Sequence, residues 1–438
     1  MKYGSVAALA ALNAPALVHA ASGALTVLTM NVAGLPAILQ DNGVPGDKTA
    51  NSERIGSLFA QYGYDVINVQ EDFNYHAYIY ANDNHPYRTP TSGGAVFGSG
   101  LNTLSNYEFI DFRRIKWDTC SNDESDDCLT PKGFTFMRVR ISEGNYIDMY
   151  NLHADAGTSD ADEVARPANL AQVSDYISTW STGNSVILFG DTNSRYTRTA
   201  DNIGIFTEKN GMTDVWYTLV RKGNSAADGV CDNPSATLEC EIVDKVFYRG
   251  SHLLDLQATA FDYVGEKFLQ SDGNVLTDHD PVLVNLTYTQ SATLQQSDLY
   301  GGPHGEYWFN DAPALAAKTN RPKASTLKFA GASRLDSVSV TLDDGTTFAY
   351  GGDGGDVSTL TLGADEYWTG AELCQGQKDS HTRNFYIKAT TSKGNSVSAG
   401  STTDDCKTFT APAGFQIVGF AGQHGDEMDQ LAFVYGLQ

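Results

Sequence analysis

Two patterns of apolar and polar positions divide the chain near residue 290. Before that point, short apolar runs alternate with stretches of helical spacing. The runs at 25–30, 65–69, 146–152, 242–248 and 281–288 predict strands. Two blocks at 93–100 and 132–140 predict further strands in a second sheet. Val186–Phe189 is wholly apolar, as expected of a strand covered on both faces. Ile55, Leu58, Phe59 and Tyr62 recur at helical spacing behind Ser52, a candidate N-cap. Leu170, Val173, Ile177 and Trp180 do the same behind Asp162, with Pro167 fitting only near the first turn. This alternation predicts an α/β domain of two sheets packed face to face, with helices outside. Residues 290–297 (QSATLQQS) are polar and aperiodic, and predict a linker. Beyond them short alternating stretches, rich in Gly, Thr, Ser and aromatics, predict an all-β domain.

The predicted strands of the first domain end in chemically capable residues. Asn31 follows the run 25–30, Glu71 the run 65–69 and His153 the run 146–152, with Asp155 beside it. Asp191 and Asn193 follow the run SVILFG, Asp244 lies in the run 242–248, and Asp278 and His279 directly precede the last. Turn formation accounts for Asn and Asp at such places, but Glu and His are poor turn formers. Open α/β sheets carry their chemistry outside strand ends. A divalent cation takes hard oxygen ligands, so Glu71 with Asn31 beside it is the candidate metal pair. Asp191 and Asn193 are placed to orient a water and a phosphoryl oxygen. His279 is the candidate general base with Asp244 fixing its tautomer, and His153 the candidate on the leaving-group side. Lys132 and Arg195 are candidate phosphate contacts. In-line attack of water on a phosphate ester is the reaction this set describes.

Charge and cysteines narrow the setting. The chain has 438 residues and a formal charge of −24, which argues against a broad electrostatic grip on nucleic acid. Lys2, the apolar run at 6–18 and Val18-His19-Ala20 predict a signal peptide over residues 1–20 and a secreted, extracellular protein. Six cysteines suit that compartment, with local pairing 120–128, 231–240 and 374–406 the simplest arrangement.

The ordered motifs MNVAGLP, VQED, YNLHADAG, ILFGDTN, VDKVF and TDHDPV, over residues 25–289, resemble the endonuclease/exonuclease/phosphatase superfamily, on its sphingomyelinase and deoxyribonuclease I-like side. The resemblance implies a four-layered α/β sandwich that cleaves phosphoester bonds with Mg2+ or another divalent cation such as Mn2+, Ca2+ or Co2+. It implies Asn31, Glu71 and Asp278 at the metal. By it His153, Asp191, Asn193, Asp244 and His279 become catalytic residues; Asp155, Lys132 and Arg195 are candidate substrate-binding residues only by their nearness in sequence to these strand ends. GGPHGEYWFND and GFQIVGFAGQHGDEMDQLAFVY resemble jacalin-type lectins and imply a β-prism over residues 299–438. By that resemblance Gly302 and the loop Gly425, Asp426, Glu427, Met428 and Asp429 would bind glycans.

The expected protein is therefore a signal peptide (1–20), a catalytic domain (21–289), a linker (290–298) and a lectin domain (299–438). Its expected activity is that of a secreted phosphodiesterase on sphingomyelin or related phospholipids, with peripheral membrane contact through the apolar residues at 33–39. A secreted nuclease acting on nucleic acid, or a phosphomonoesterase on sugar or inositol phosphates, is the alternative. A binding protein with an inactive enzyme domain is a further one.

Overall fold

Residues 186–189 face two different cores by turns. Val186 and Leu188 pack with Leu170, Val173 and Ile177 of a helix, while Ile187 and Phe189 pack with Val27, Val66 and Val284 of another sheet. That period of two explains why the run has no polar position. The computed structural model describes residues 21–36, 42–92, 98–124, 127–226 and 229–438. The expected signal peptide, residues 37–39 of the apolar loop and residues 93–97 of one expected strand lie outside the described residues.

Among the described residues, twelve strands build the first domain: β1 (Ser22–Asn31), β2 (Val66–Gln70), β3 (Tyr87–Arg88), β4 (Asn102–Ser105), β5 (Phe109–Lys116), β6 (Gly133–Ser142), β7 (Asn145–Leu152), β8 (Ser185–Asp191), β9 (Thr213–Asp214), β10 (Asp244–Arg249), β11 (Leu254–Tyr263) and β12 (Val282–Gln290). One sheet has the order β11-β12-β1-β2-β4-β3 and the other β5-β6-β7-β8-β10-β9. Helix α1 (Lys48–Tyr62) covers the first sheet through Ile55, Leu58 and Phe59. Helix α2 (Asp162–Trp180) covers the second through Leu170, Val173 and Ile177. Helix, sheet, sheet and helix make the four-layered α/β sandwich.

Several local expectations are corrected. Asp47, not Ser52, caps α1: its carboxylate accepts from Ala50 N (2.9 Å), and the chain enters the helix five residues early. Asp162 opens α2 rather than capping it, its carboxylate accepting from Ser159 N (3.1 Å). Asp244 starts β10 instead of lying within a strand, and it sits opposite Asp191 in the antiparallel ladder. Strands β4 and β5 escape the sequence pattern: β5, FIDFRRIK, is half-exposed with a bulge between Ile110 and Arg113, so no clean alternation appears.

Three sheets form the second domain, an all-β prism. Two have four strands each, and the third joins Phe415–His424 and Met428–Leu437 with Tyr307–Asn310 and the two-residue strand Tyr300–Gly301. Their inner faces share one core in which the Trp368 ring meets Phe420 and Phe433, each at 5.7 Å. The stretch expected to be a linker contains a strand, Leu294–Gln296, that pairs with Met428–Leu437. Its alternation is too short to show in the sequence.

The two domains meet through buried polar groups. Arg138 donates to Asp111 (2.8 Å) and to both oxygens of Asp148 (2.7 Å each), and its guanidinium stacks 3.5 Å over Trp308 of the second domain. Gln423 and Gln430 complete Asp111, each at 3.0 Å. Arg140 forms a two-pronged pair with Asp298 (2.9 Å each). All six cysteines are paired as expected, 120–128, 231–240 and 374–406.

Candidate active site

Strand direction gathers the candidates at one pole. β1 runs parallel to β2, and β7 to β8, so Asn31, Glu71, His153 and Asp191 leave their strands at one end. β10 and β12 run antiparallel to their neighbours, so Asp244 and His279 enter theirs at that same end. The two-sheet sandwich then brings the two sets face to face.

Asn31 is the bridge. It is fully buried, and its amide nitrogen lies 3.1 Å from Glu71 Oε1, 3.2 Å from Asp191 Oδ2 and 3.5 Å from His279 Nε2. His279 Nδ1 lies 2.8 Å from Asp244 Oδ2, and its Nε2 lies 3.8 Å from Asp191 Oδ2. His153 Nε2 approaches the same Asp191 oxygen at 3.4 Å and Lys132 Nζ at 3.3 Å. Two imidazoles therefore flank one carboxylate.

Their electrostatics differ. Burial works against the charged form of His279, but Asp244 and Asp191 reverse it and hold the ring well above the ordinary histidine range. Burial pushes His153 well below that range, and Lys132 and His279 add to the push. Burial also raises Asp191 to about 6, against the pull of His279. These directions run counter to the expected roles, His279 as general base and His153 on the leaving-group side. The cause is placement: two carboxylates face His279, and an ammonium faces His153.

The metal candidates also converge, through a residue the sequence reading missed. Asn42 Nδ2 lies 3.4 Å from Glu71 Oε2 and 3.2 Å from Asp278 Oδ2. Lys48 Nζ holds the Asn42 carbonyl oxygen at 2.9 Å and the carbonyls of Ala33 and Leu35 at 2.8 and 2.7 Å. Glu71 adopts φ 55°, a left-handed backbone that a glutamate rarely takes and that aims its carboxylate at Asn31 and Asn42. The carboxylates of Glu71 and Asp278, with the Asn42 N–H between them, offer the hard oxygens that a magnesium-type cation takes, while the Asn31 carbonyl oxygen accepts from Ala33 N (3.0 Å). Asp191, Asp244 and His279 also bring ligand atoms within 4.8 Å of one another, a second place where a cation would find donors.

The remaining candidates are less central. Asn193 directs its amide at the Ala154 carbonyl (3.0 Å), and its N–H caps Asp191 Oδ1 (3.0 Å). Asp155 turns away from the imidazoles and accepts from Ser121 N (2.7 Å). Arg195 lines an open cleft of about 290 Å³ with Arg198, Asp244, Asp278 and His279. In the lectin-like domain Gly302, Glu427, Met428 and Asp429 are all buried, and only Gly425 and Asp426 reach the surface. Glu427 pairs with Arg334 and Lys378, and Asp429 with Arg383 at 3.3 Å. The Met428 side chain, fully buried, faces the core rather than a ligand, because the loop's ladder to residue 424 turns it inward.

Residues 43–228 match the Endonuclease/Exonuclease/phosphatase family 2 model, and residues 297–434 the Jacalin-like lectin domain model. Over 279 residues the chain is 37% identical to sphingomyelinases of Mycobacterium tuberculosis and Mycobacterium bovis. That alignment covers 61% of this chain and 53% of theirs, so the chain spans about half the length of the curated relatives it matches. Among solved structures, sphingomyelinase C from Streptomyces griseocarneus is 18% identical with TM-score 0.43, covering 60% of this chain and 99% of that one. A mannose-binding jacalin-related lectin from Ananas comosus is 18% identical with TM-score 0.28, covering 33% of this chain and 99% of that one.

Proposed function

Because the chain joins a domain of the endonuclease/exonuclease/phosphatase family to a jacalin-like lectin domain, we propose that it is a secreted, divalent-cation-dependent phosphodiesterase acting on sphingomyelin or a related phospholipid. The observation that carries this reading is the convergence of Glu71, Asn31, Asp191, Asp244 and His279 through contacts of 2.8–3.8 Å. The 37% identity to sphingomyelinases favours lipid over nucleic acid as substrate, and so does the charge of −24.

In this reading Glu71 and Asp278, with Asn31 beside them, would hold the cation, Mg2+ by the chemistry of its donors, and it would supply Lewis-acid charge to a phosphoryl oxygen. Asp191, raised to about 6 by burial, is the carboxylate nearest both imidazoles and takes the proton of the attacking water. His279, oriented by Asp244, donates hydrogen bonds from Nε2 to the charged phosphate. Lys132 carries positive charge on the His153 side. The second domain brings the enzyme to glycan-bearing surfaces by raising its effective concentration there.

The test offers the purified full chain sphingomyelin vesicles, supercoiled plasmid and inositol phosphates in parallel, with Mg2+ or with a chelator. Phosphocholine release that needs Mg2+, with plasmid intact, is the expected result. Nicked plasmid with no phosphocholine would replace the lipid reading with the nuclease one.

A further inference from the structure

The loop closed by Cys120–Cys128 is fastened to the segment that carries His153. Trp117 Nε1 donates to the His153 carbonyl (2.8 Å) and Ser121 N to Asp155 Oδ2 (2.7 Å). Further out, Glu124 Oε2 accepts from Thr158 N (2.7 Å) and Asp123 Oδ2 from Ser159 Oγ (3.2 Å). At the centre is Asp127, a buried carboxylate that uses both oxygens. Oδ1 pairs with Lys132 Nζ, and Oδ2 accepts from Ala156 N (2.6 Å). Lys132 Nζ then reaches His153 Nε2 at 3.3 Å.

We propose that Asp127 is a positioning residue that aims the Lys132 ammonium at the phosphate beside His153, and that the Cys120–Cys128 disulfide keeps Asp127 in place. The proposal rests on the phosphodiesterase reading above. A lysine side chain has four rotatable carbons and a compact charge, so a buried ammonium needs a fixed counter-charge to stay in one position. His153 cannot supply it, because an imidazole carries no negative charge. Asp127 can, because its second oxygen is tied to the backbone three residues after His153 and so spans the two loops. Its own helical turn is a single one, Asp127–Leu129, whose Leu129 is 71% exposed. The bonds of the buried Asp127 and the neighbouring Cys128 bridge, rather than Leu129, therefore hold this turn. An aspartate that merely neutralised a surface lysine would need neither burial nor the bond to Ala156.

The experiment uses the full chain and a soluble chromogenic phosphocholine diester at saturating Mg2+. Asp127→Asn should lower kcat by roughly 10- to 100-fold, with KM changed less than about threefold and the unfolding midpoint nearly unmoved. Asp127→Glu should recover most of the loss. Asp127→Asn combined with Lys132→Met should be no slower than Lys132→Met alone, since one residue acts through the other. Cys120→Ser with Cys128→Ser should fall toward the Asp127→Asn rate. An unchanged kcat in Asp127→Asn, or losses that multiply in the double variant, overturns the proposal. Should Asp127→Asn not fold, the Glu variant and the cysteine pair decide: full activity in the cysteine pair overturns the role of the disulfide. A wild-type chain that cleaves no phosphodiester overturns the reading beneath, and the proposal with it.

Discussion

The catalytic pole and the seam between the domains both bury charge, and they treat it in opposite ways. At the seam Arg138 is fully buried and spends its donors on Asp111, both oxygens of Asp148 and the Trp180 carbonyl (2.9 Å), with Trp308 against its face. Asp111 is completed by two glutamines from the other domain. At the pole, Asp244 Oδ1 and His153 Nδ1 are buried with no hydrogen-bond partner. The histidines there are pushed in opposite directions and Asp191 is raised to about 6. Saturated networks fix structure, whereas buried groups with unused atoms and displaced protonation are poised for a ligand.

The largest expected effects test that contrast directly. His279→Ala should slow turnover by roughly 10²–10³-fold, in line with a lost donor to developing charge, while leaving denaturant unfolding nearly unchanged. Arg138→Met should do the reverse: it leaves Asp148 and Asp111 buried with too few donors, at a cost of about 3–5 kcal/mol in unfolding free energy. Turnover per folded molecule should stay within a few-fold of wild type. Equal loss of stability in both variants, or equal loss of turnover, would remove the distinction between pole and seam. The seam also bears on the second domain: without it, Asp111 loses Gln423 and Gln430 and Arg138 loses Trp308. Residues 21–289 alone should therefore hold the catalytic residues but unfold more readily than the full chain.

The two regions were unequally legible in the sequence. The pole was readable because each of its residues ends or precedes an apolar run: SVILFGD alternates between two cores, and its polar residues stand only at its two ends. Strand direction then does the gathering, so the order of motifs sufficed to find Asn31, Glu71, Asp191, Asp244 and His279. Asn42 and Lys48 were missed because they lie in a loop rich in Gly and Pro, where no period links a side chain to a distant carboxylate. The seam was unreadable for a similar reason. Arg138 looks like an ordinary polar position in the strand GFTFMRVRIS, and its partners lie up to 170 residues away at Trp308. The opposite displacement of the two histidines was also unreadable, because it depends on burial and on groups that meet the rings only in three dimensions, Lys132 at His153 and Asp244 with Asp191 at His279.

The smallest expected effect concerns Asp311, which marks where displaced protonation stops indicating function. Asp311 lies in the second domain, accepts from Tyr350 Oη and from Phe420 N (2.8 Å), and is raised by burial to about 7 despite those bonds. Both oxygens have partners, so by the contrast above it belongs to the structural class even though its pKa is raised further than that of Asp191. Its folded-state pKa lies above the ordinary carboxyl value, so the folded protein takes up a proton there that the unfolded chain does not. The stability contributed by that proton is fully present below about pH 4 and lost as pH rises through about 7. Asp311→Asn, which keeps a carbonyl for Phe420 N and never ionises, should flatten this part of the profile. The difference between variant and wild type should grow by on the order of 1 kcal/mol or more from pH 4 to pH 8, in favour of the variant. Turnover of a soluble phosphodiester should keep the wild-type pH profile throughout. Denaturant unfolding across that range, set beside the pH–rate curve, separates the two quantities. A shifted rate profile would mean that Asp311 is coupled to the catalytic pole, and a pH-independent stability difference would mean that its carboxyl is already ionised in the folded protein.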